Sequence, residues 1–277
     1  MIKYILALQI SSLIAKPKEN FKNLEEYLSE IFADKTIKPD FIFLPEVWSV
    51  GWYPQCFEQF DNDNETLDFL VKIAKKYNVN IFGGSYIRND NGKLKNSMPV
   101  ILRDGSILGF YDKIHLYTPD GEGVLSCGNT PAIFEIEGLR IGVSICYDIR
   151  FPELFRSYIN QAEPPHLLVN LSAWPMTRAA QYVSMAKSRA IENQSYFLAL
   201  SQCGQIKDDV YNSGCSCLVE PMGECICKLD VNRGYIYSQI DTDVVDNVRN
   251  TYPNLRNRKV FDYGFNVLKY SVGSVKC

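Results

Sequence analysis

The sequence lacks the features of a membrane or nucleic-acid-binding protein. No apolar run approaches the roughly 20 residues that a membrane-spanning helix needs. The chain has 29 basic and 32 acidic side chains, a formal net charge of −3, and the two signs are interleaved. A basic stripe for nucleic acid and a polybasic patch for anionic lipid are therefore both missing. We expect a small-molecule partner, with no nucleic acid and no membrane.

Histidine is scarce, which argues against a cysteine protease and against a zinc site. His115 and His166 are the two histidines among 277 residues. A cysteine protease needs a histidine base, and zinc sites draw heavily on histidine and cysteine. His166 follows two prolines at the start of a predicted strand, which is a poor position for a base. We predict neither a metal nor another cofactor.

The nine cysteines do not suggest disulfide staples. Their number is odd, and a chain of 277 residues can bury a sizeable core without them. This pattern is typical of a reducing cytoplasm, where we place the protein. The apolar residues 4–8 superficially resemble a secretion signal, but Gln9, Ser11 and Ser12 interrupt the run. A buried first strand is the favoured interpretation.

Four of the cysteines resemble a metal-binding box: Cys215, Cys217, Cys225 and Cys227. Each pair has a single intervening residue and alternates along a predicted strand. Structural zinc pairs usually have about two to four intervening residues around a tight turn. We therefore interpret the four as small core residues, with a metal or redox protein as the weaker alternative.

Predicted strands alternate with predicted helices, without a linker, a low-complexity tract or an internal repeat. Such a mixture is typical of α/β layers in which helices cover sheets. The predicted strands are residues 4–10, 41–44, 81–86, 99–102, 107–111, 133–136, 139–145, 167–170, 197–201, 215–219 and 225–229. The predicted helices are residues 17–32, 65–77, 183–192 and a segment beginning at Pro152. The Gly83-Gly84 pair within one predicted strand indicates close packing of backbones.

Cys146 is a candidate nucleophile because it follows a predicted strand and precedes the helix that begins at Pro152. Such a turn projects a side chain out of the sheet. It also places backbone N–H groups near a helix N-terminus, which favours a thiolate and can bind an oxyanion. The alternative is a buried structural cysteine, a common fate of free cysteines.

Glu46 and Lys113 are candidate partners because each lies just beyond the end of a predicted strand. Catalytic groups of α/β proteins gather at the carboxyl ends of strands. Among apolar neighbours a glutamate has a raised pKa, as a general base requires. A lysine there holds an oxyanion or lowers the pKa of a thiol. An exposed glutamate, and a solvated lysine paired with Asp112, stay open as alternatives.

Three segments together resemble the carbon–nitrogen hydrolase (nitrilase) superfamily. They are Leu44-Pro45-Glu46, the run Tyr-Asp-Lys-Ile-His-Leu at 111–116, and Ile-Cys-Tyr-Asp-Ile-Arg-Phe-Pro-Glu-Leu at 145–154. They occur in the order of the family, and the segment around Cys146 is highly specific. Residues 174–175, 189–193 and 219–224 agree as well, so the likeness extends from the first strand to about Tyr263.

This resemblance implies a catalytic set. Glu46 would be the general base, Lys113 the oxyanion stabiliser and Cys146 the nucleophile. The backbone N–H of Tyr147 would be a second oxyanion donor. A second glutamate in many relatives lies nine residues past the lysine, which corresponds to Glu122 here. That residue would orient the substrate or assist the departing ammonia.

The resemblance also implies an architecture. Relatives are four-layer αββα sandwiches of the α/β class that assemble as dimers or larger oligomers. We predict a single carbon–nitrogen hydrolase domain over residues 1–263 and expect a homodimer or higher homo-oligomer. Residues 264–277 would form a C-terminal tail that either lies at an oligomer interface or frays.

Within the superfamily the sequence is most similar to the Nit-type ω-amidases, which release ammonia from the terminal amide of short 2-oxo acids such as 2-oxoglutaramate. Deaminated-glutathione amidases and N-carbamoyl amino acid hydrolases remain alternatives. Many relatives carry His-Trp where this chain has Gln181-Tyr182, near the expected wall of the pocket. This departure concerns the substrate and not the reaction class.

A substrate with a carboxylate needs a cation, and Arg178 is the candidate anchor. Tyr117, Trp174 and Tyr147 are candidate walls of the substrate pocket. A surface arginine at a helix start, and aromatic side chains of the core, stay open as alternatives.

The non-enzymatic alternative is a binding protein that kept the fold and lost the activity. Glu46, Lys113 and Cys146 are all present, and nothing structural demands all three residue types at such positions. Their joint presence argues for an enzyme.

Overall fold

The computed structural model describes residues 1–60 and 64–259. Two mixed β-sheets and a short two-stranded hairpin make up its strands. The strands are β1 (Ile2–Gln9), β2 (Phe41–Phe43), β3 (Asn80–Phe82), β4 (Tyr86–Asp90), β5 (Lys93–Ile101), β6 (Ile107–Asp112), β7 (Ile133–Ile136), β8 (Leu139–Ile145), β9 (Leu167–Ser172), β10 (Tyr196–Ser201), β11 (Cys203–Lys207), β12 (Val210–Ser213), β13 (Cys217–Val219), β14 (Cys225–Lys228) and β15 (Gly234–Asp241). The helices are α1 (Pro17–Ala33), α2 (Asn64–Tyr77), α3 (Pro152–Ile159), α4 (Ala179–Asn193), α5 (Thr242–Thr251) and α6 (Asn254–Asn257).

The two large sheets have parallel centres and antiparallel edges. The first sheet has the order β15-β1-β2-β3-β5-β4, and β6 also pairs with β5. The second sheet has the order β14-β13-β10-β9-β8-β7. The pairs β1/β2, β2/β3, β8/β9 and β9/β10 are parallel. Parallel neighbours end at the same edge of a sheet. The segment that follows β2 therefore lies at such an edge of the first sheet, and the segment that follows β8 lies at such an edge of the second, where sites form in α/β proteins.

The first strand is buried on both faces, which confirms the predicted buried strand at the start of the chain. Ile5 and Ala7 belong to the large core that both sheets share. Leu6 and Leu8 belong to a separate cluster with residues of α1 and α2. Alternate residues of a strand point to opposite faces, so a central strand between two layers reads as a continuous apolar run.

The two sheets pack face to face, and helices cover their outer faces. Phe82 of the first sheet meets Phe134 of the second in an edge-to-face contact with ring centroids 5.9 Å apart. The helices α1 and α2 bury apolar side chains on the first sheet. On the second sheet, Phe155 of α3 lies 5.7 Å from Phe197 of β10, centroid to centroid. The order helix, sheet, sheet, helix confirms the predicted four-layer αββα sandwich.

The helix predictions from apolar spacing are confirmed. The helix α1 begins at Pro17, a residue suited to the first turn, and Leu24, Leu28 and Ile31 lie on its buried face. The helix α2 begins one residue before the predicted start, at Asn64. The helix α4 begins earlier than predicted, at Ala179, because its first turn, Ala-Ala-Gln-Tyr, contains no large aliphatic side chain that would reveal the helical spacing.

The predicted strand over residues 81–86 is wrong at its centre. The strand β3 ends at Phe82 and β4 begins at Tyr86, with Gly83-Gly84-Ser85 between them. Gly84 has φ +69°, and a Cβ at this position would overlap the carbonyl oxygen of Pro45. The predicted close packing of backbones at this glycine pair is thus confirmed. The partner is the loop that follows β2 and carries Glu46.

The polar first half of β5 was not predicted to be a strand. The predicted strand begins at Pro99, whereas β5 begins at Lys93 and pairs with β4 in a hairpin. Asn96 and Ser97 interrupt the apolar pattern, yet both are fully buried. The strands β11, β12 and β15 and the helices α5 and α6 likewise lay outside the predicted elements.

The cysteine hairpin exists, but it is shorter than predicted. Cys217 is buried in β13, and Cys225 and Cys227 of β14 pack partly buried against the same core. Cys215 precedes β13 with φ +51°, outside the ladder. Within residues 1–60 and 64–259, no three histidine, cysteine or acidic side chains are grouped to hold a metal ion.

None of the described helices is both long and apolar enough to cross a membrane. The predicted domain boundary at residue 263 and the predicted tail, residues 264–277, lie outside the described residues. Both stay predictions.

Candidate active site

The fold brings Glu46, Lys113 and Cys146 together. They follow β2, β6 and β8 respectively, so two of them come from the first sheet and one from the second. The Nζ of Lys113 donates to Oε1 of Glu46 at 2.9 Å. The Glu46 carboxylate acts on the thiol of Cys146, because its charge raises the pKa of that thiol in addition to the effect of burial. All three side chains are buried. The open alternatives of an exposed glutamate and a solvated lysine are therefore wrong.

Cys146 lies at a sharp strand-to-helix turn. The strand β8 ends at Ile145, a 3-10 turn covers Cys146–Arg150, and α3 begins at Pro152. Cys146 has φ +43°, a left-handed conformation that is uncommon for a residue with a Cβ. The surrounding structure has to enforce such a conformation, and it is often found at functional sites.

Asp148 enforces this turn through four hydrogen bonds. Its Oδ2 accepts from the Ile145 N–H at 2.9 Å and from the Tyr111 hydroxyl at 2.7 Å. Its Oδ1 accepts from the His115 N–H at 2.9 Å and lies 2.7 Å from the His115 Nδ1. Burial, followed by the Asp148 charge, raises the pKa of Tyr111 well above its usual range. Asp148 thus ties the segment that carries Lys113 to the turn that carries Cys146.

Glu122 lies on the other side of the lysine. The Nζ of Lys113 is 2.8 Å from each carboxylate oxygen of Glu122, which is fully buried. The Tyr117 N–H donates to Oε2 of Glu122 at 2.6 Å. The residue that was predicted from the family spacing is therefore in direct contact with Lys113.

Asn96 is part of the same cluster, and the sequence reasoning missed it. Its Nδ2 donates to Oε1 of Glu46 at 2.9 Å and to Oε1 of Glu122 at 3.0 Å. Its backbone oxygen accepts from the Lys113 N–H at 2.9 Å. The available signal was a polar pair, Asn96-Ser97, directly before the apolar run that starts at Met98.

Burial decides the direction of the pKa shift at Glu46 and Cys146, and neighbouring charges decide it at Lys113. Burial raises the pKa of Glu46, and it outweighs the opposing charge of Lys113. Burial and then the Glu46 charge raise the pKa of the Cys146 thiol well above its usual range. Burial alone would lower the pKa of Lys113, but the charges of Glu122 and Glu46 outweigh it and raise that pKa. The arrangement is that of a neutral thiol beside a carboxylate base, with a permanent cation next to both.

A pocket opens onto Cys146. Its walls include all three predicted aromatic residues, Tyr117, Tyr147 and Trp174, and the predicted anchor Arg178. Trp174 is almost fully buried, and its Nε1 donates to the Arg178 backbone oxygen at 2.9 Å. The guanidinium of Arg178 lies 5.3 Å from the centre of the Tyr117 ring. This arginine therefore lines the pocket from a partly exposed position directly before α4.

A second arginine lines the pocket, and the sequence reasoning did not single it out. Arg150 lies four residues past the cysteine in the same 3-10 turn. Its guanidinium is 4.9 Å from the centre of the Trp174 ring, and its NH2 group donates to Oε1 of Gln181 at 3.0 Å. Tyr182 is fully buried and stacks on Trp174 at 4.9 Å. Gln181 thus contacts a residue of the pocket wall, while Tyr182 supports that wall from behind.

Comparison with known proteins identifies the family. The sequence pattern of the carbon–nitrogen hydrolases matches residues 6–250. A 2-oxoglutaramate amidase of Bacillus subtilis (strain 168) is 32% identical over 253 residues, which are 90% of this chain and 95% of the relative. The omega-amidase NIT2 of Homo sapiens is 30% identical over 266 residues, which are 92% of this chain and 94% of the relative.

The fold agrees with this match. The crystal structure of XC1258 from Xanthomonas campestris, a CN-hydrolase superfamily protein, superimposes with a TM-score of 0.87 at 22% identity. The superposition covers 95% of this chain and 100% of that one. The chain belongs to the carbon–nitrogen hydrolase family. The predicted family and enzyme class, a carbon–nitrogen hydrolase acting on amides, are confirmed.

Proposed function

We propose that this protein is an ω-amidase, which hydrolyses the terminal amide of a short 2-oxo acid such as 2-oxoglutaramate and releases ammonia. The observation that carries the proposal is the buried cluster of Glu46, Lys113 and Cys146 at the base of a pocket that also holds two arginines. The names of the two relatives described above support the same substrate class.

In the first half-reaction Glu46 accepts the thiol proton of Cys146, and the sulfur attacks the amide carbon. The ammonium of Lys113 and the backbone N–H of Tyr147 stabilise the oxyanion that forms. Glu46 returns the proton to the amide nitrogen, the carbon–nitrogen bond breaks, and ammonia leaves a thioester on Cys146. Glu122 keeps Lys113 in place, because its carboxylate accepts the other hydrogen bonds of that ammonium.

In the second half-reaction Glu46 takes a proton from water, and the oxygen attacks the thioester. Lys113 and the Tyr147 N–H again stabilise the oxyanion. The carbon–sulfur bond breaks, Glu46 returns the proton to the sulfur, and the acid leaves. The raised pKa of Glu46 suits this alternation, because the group has to accept and return a proton near neutral pH.

The two arginines support a substrate with a carboxylate at the end opposite to the amide. Arg178 and Arg150 both line the pocket above Cys146, and guanidinium groups bind carboxylates in bidentate geometry. Tyr117, Tyr147 and Trp174 would enclose the short chain between the amide and the acid group.

The test is ammonia release from a panel of amides by the wild type, the Cys146→Ala variant and the Cys127→Ala variant. Cys127 is exposed and serves as the matched control. The panel contains 2-oxoglutaramate, 2-oxosuccinamate, deaminated glutathione, an N-carbamoyl amino acid and an aliphatic nitrile. We expect turnover of the 2-oxo amides that disappears in Cys146→Ala and persists in Cys127→Ala. Turnover of deaminated glutathione or the N-carbamoyl compound alone would contradict the substrate, and no turnover at all would favour a binding protein.

We further propose a homodimer or larger homo-oligomer in the cytoplasm. The family resemblance supports the assembly, and the odd number of cysteines supports a reducing compartment. Light scattering on a sizing column measures the assembly, and a monomer at micromolar concentration would contradict it.

A further inference from the structure

Asn96 stands between the two carboxylates of the site. The side chain is fully buried at the polar start of β5. The two protons of one amide nitrogen serve Glu46 and Glu122, at 2.9 and 3.0 Å. The backbone oxygen of the same residue accepts from the backbone N–H of Lys113 at 2.9 Å. The Asn96 side chain therefore bonds both carboxylates of the cluster, and its backbone holds the segment that carries Lys113.

The charge balance of the cluster makes this contact consequential. Glu46 and Glu122 are fully buried like charges, and Lys113 is bonded to both. Like charges repel strongly where water is excluded, and hydrogen-bond donors to Glu46 offset that repulsion. Oε2 of Glu46 accepts from the Ala173 N–H at 2.9 Å, and Oε1 accepts from Asn96 and Lys113.

A neutral donor at this position has a chemical advantage over a second cation. A second ammonium would lower the pKa of Glu46 and weaken it as a base toward the thiol. An apolar side chain would remove one of the donors that offset the repulsion between the two glutamates. An amide orients both carboxylates and adds no charge.

We propose that Asn96 is a positioning residue for amide hydrolysis, whose side-chain amide holds Glu46 beside Glu122 in the orientation and charge state needed to accept the Cys146 proton. This inference rests on the proposed role of Glu46 as the base. The titratable groups that act on Glu46 from the neighbouring elements are Lys113, Glu122, Cys146 and Tyr182.

The test compares Asn96→Leu with wild type. Leucine has a similar size and lacks both donors, so ionised Glu46 loses a hydrogen bond while the repulsion from Glu122 remains. We expect kcat/KM at neutral pH to fall about 10- to 100-fold, the usual effect of losing a hydrogen bond to a charged group. Because the base works only when ionised, the acid limb of the pH–rate profile should also move to higher pH.

The matched control is Asn80→Leu. Asn80 is buried in β3 of the same sheet, and its Nδ2 also donates to a glutamate, Glu137, at 3.1 Å. This control loses the same kind of bond away from the pocket. We expect it to lower the melting temperature and to leave the rate and its pH profile unchanged. Should Asn96→Leu fail to fold, Asn96→Asp, which keeps the size of the side chain, is expected to displace the acid limb in the same direction.

A second readout needs no substrate. The rate at which iodoacetamide alkylates Cys146 is followed from low to neutral pH by peptide mass spectrometry, with Cys146→Ala as the blank. In Asn96→Leu the acid limb of the alkylation profile should move to higher pH, as in the pH–rate profile. Unshifted profiles in both readouts, or an equal shift in Asn80→Leu, would overturn the inference. A shifted alkylation profile in an enzyme that hydrolyses no amide of the panel would instead sink the proposed function and leave this inference standing.

Discussion

Two clusters of ion pairs lie next to each other on the first sheet, and they differ mainly in burial. The buried cluster is Glu46, Lys113 and Glu122, whose side chains are 0% exposed. The surface cluster is Arg88, Asp90, Lys95 and Asp112, whose side chains are 17–34% exposed. Asp112 and Lys113 are consecutive residues, yet each belongs to a different cluster. The alternative that Lys113 pairs with Asp112 is therefore wrong.

Burial and ion pairing act on the carboxylates of both clusters, but their net effect on the pKa is opposite in the two. Burial alone would raise the pKa of Asp112, but hydrogen bonds from Ser97, Lys95 and Arg88 outweigh it and the pKa is lowered. For Glu46 burial outweighs the lysine, and the pKa is raised. Partly exposed ion pairs thus stay charged and serve the fold. Full burial with one cation for two carboxylates produces a base whose pKa lies above the usual range of glutamate.

The largest expected contrast is between Glu46→Gln and Asp112→Asn. Glutamine keeps the shape of Glu46 and cannot accept the thiol proton, so kcat should fall about 10²- to 10⁴-fold, the range for a lost general base. It also removes a buried charge, so the free energy of unfolding should not decrease. Asp112→Asn should behave in the opposite way, with a loss of about 1 kcal/mol in stability and little change in kcat. Ammonia release and urea unfolding measure the two effects. Equal activity losses in the two variants would contradict this division of roles.

The next contrast is between two lysines, Lys113→Met and Lys95→Met. Removing Lys113 leaves two buried carboxylates without their cation, and we expect a loss of about 3–5 kcal/mol in the free energy of unfolding. The missing oxyanion donor should lower kcat about 10²- to 10³-fold. Lys95 bonds two partly exposed aspartates, and its loss should cost about 1 kcal/mol or less. A Lys113→Met enzyme as stable as Lys95→Met would mean that the buried charges are compensated by other groups.

A smaller effect is expected at the arginines of the pocket. Arg178→Met and Arg150→Met should raise KM for 2-oxoglutaramate about 10-fold or more while kcat changes less, because in the proposed complex they bind the carboxylate far from the amide. For an amide without a carboxylate, the same variants should leave KM unchanged. Arg88→Met is the control, since Arg88 belongs to the surface cluster. An equal rise in KM for both kinds of substrate would argue against carboxylate binding.

The smallest effect concerns pH, and it separates the clusters in one titration. The raised pKa of Glu46 means that the ionised base is lost as pH falls through a value above the usual range of glutamate. The lowered pKa values of Asp90 and Asp112 mean that their stabilisation is present above the usual aspartate pKa and is lost only below it. On acidification, activity should therefore disappear before the fold does. Circular dichroism and ammonia release over the same pH series measure both, and a simultaneous loss would contradict the assignment.

Much of the fold was predictable from sequence because apolar periodicity is a local property. The strand at residues 133–136 and the helix that begins at Pro17 follow the pattern directly. The first half of β5 does not follow such a pattern. Asn96 can be buried there because it bonds charged residues that are distant in sequence. The strand predicted over 81–86 failed for a similar reason, because the loop of Pro45 decides where β3 must end.

The candidate site was predictable where a motif fixes the residue type. Glu46, Lys113 and Cys146 each stand in a recognisable segment, and Glu122 follows from a fixed distance in the chain. Arg150 lies within the most specific segment but has no distinctive spacing, and its place in the pocket depends on the turn at Cys146. Asp148 stands in the same segment and had no predicted role, although its four hydrogen bonds connect the segment of Lys113 to the turn of Cys146.

Gly84 limits how this enzyme can be altered in the laboratory. Any side chain at this position would displace the backbone at Pro45, one residue before the base. Libraries that aim to change substrate preference can vary Arg178 and Arg150 of the pocket, and Gln181 that bonds Arg150, without touching that backbone. A library that includes position 84 would instead shift the base itself, so its members would lose activity on every substrate rather than exchange one substrate for another.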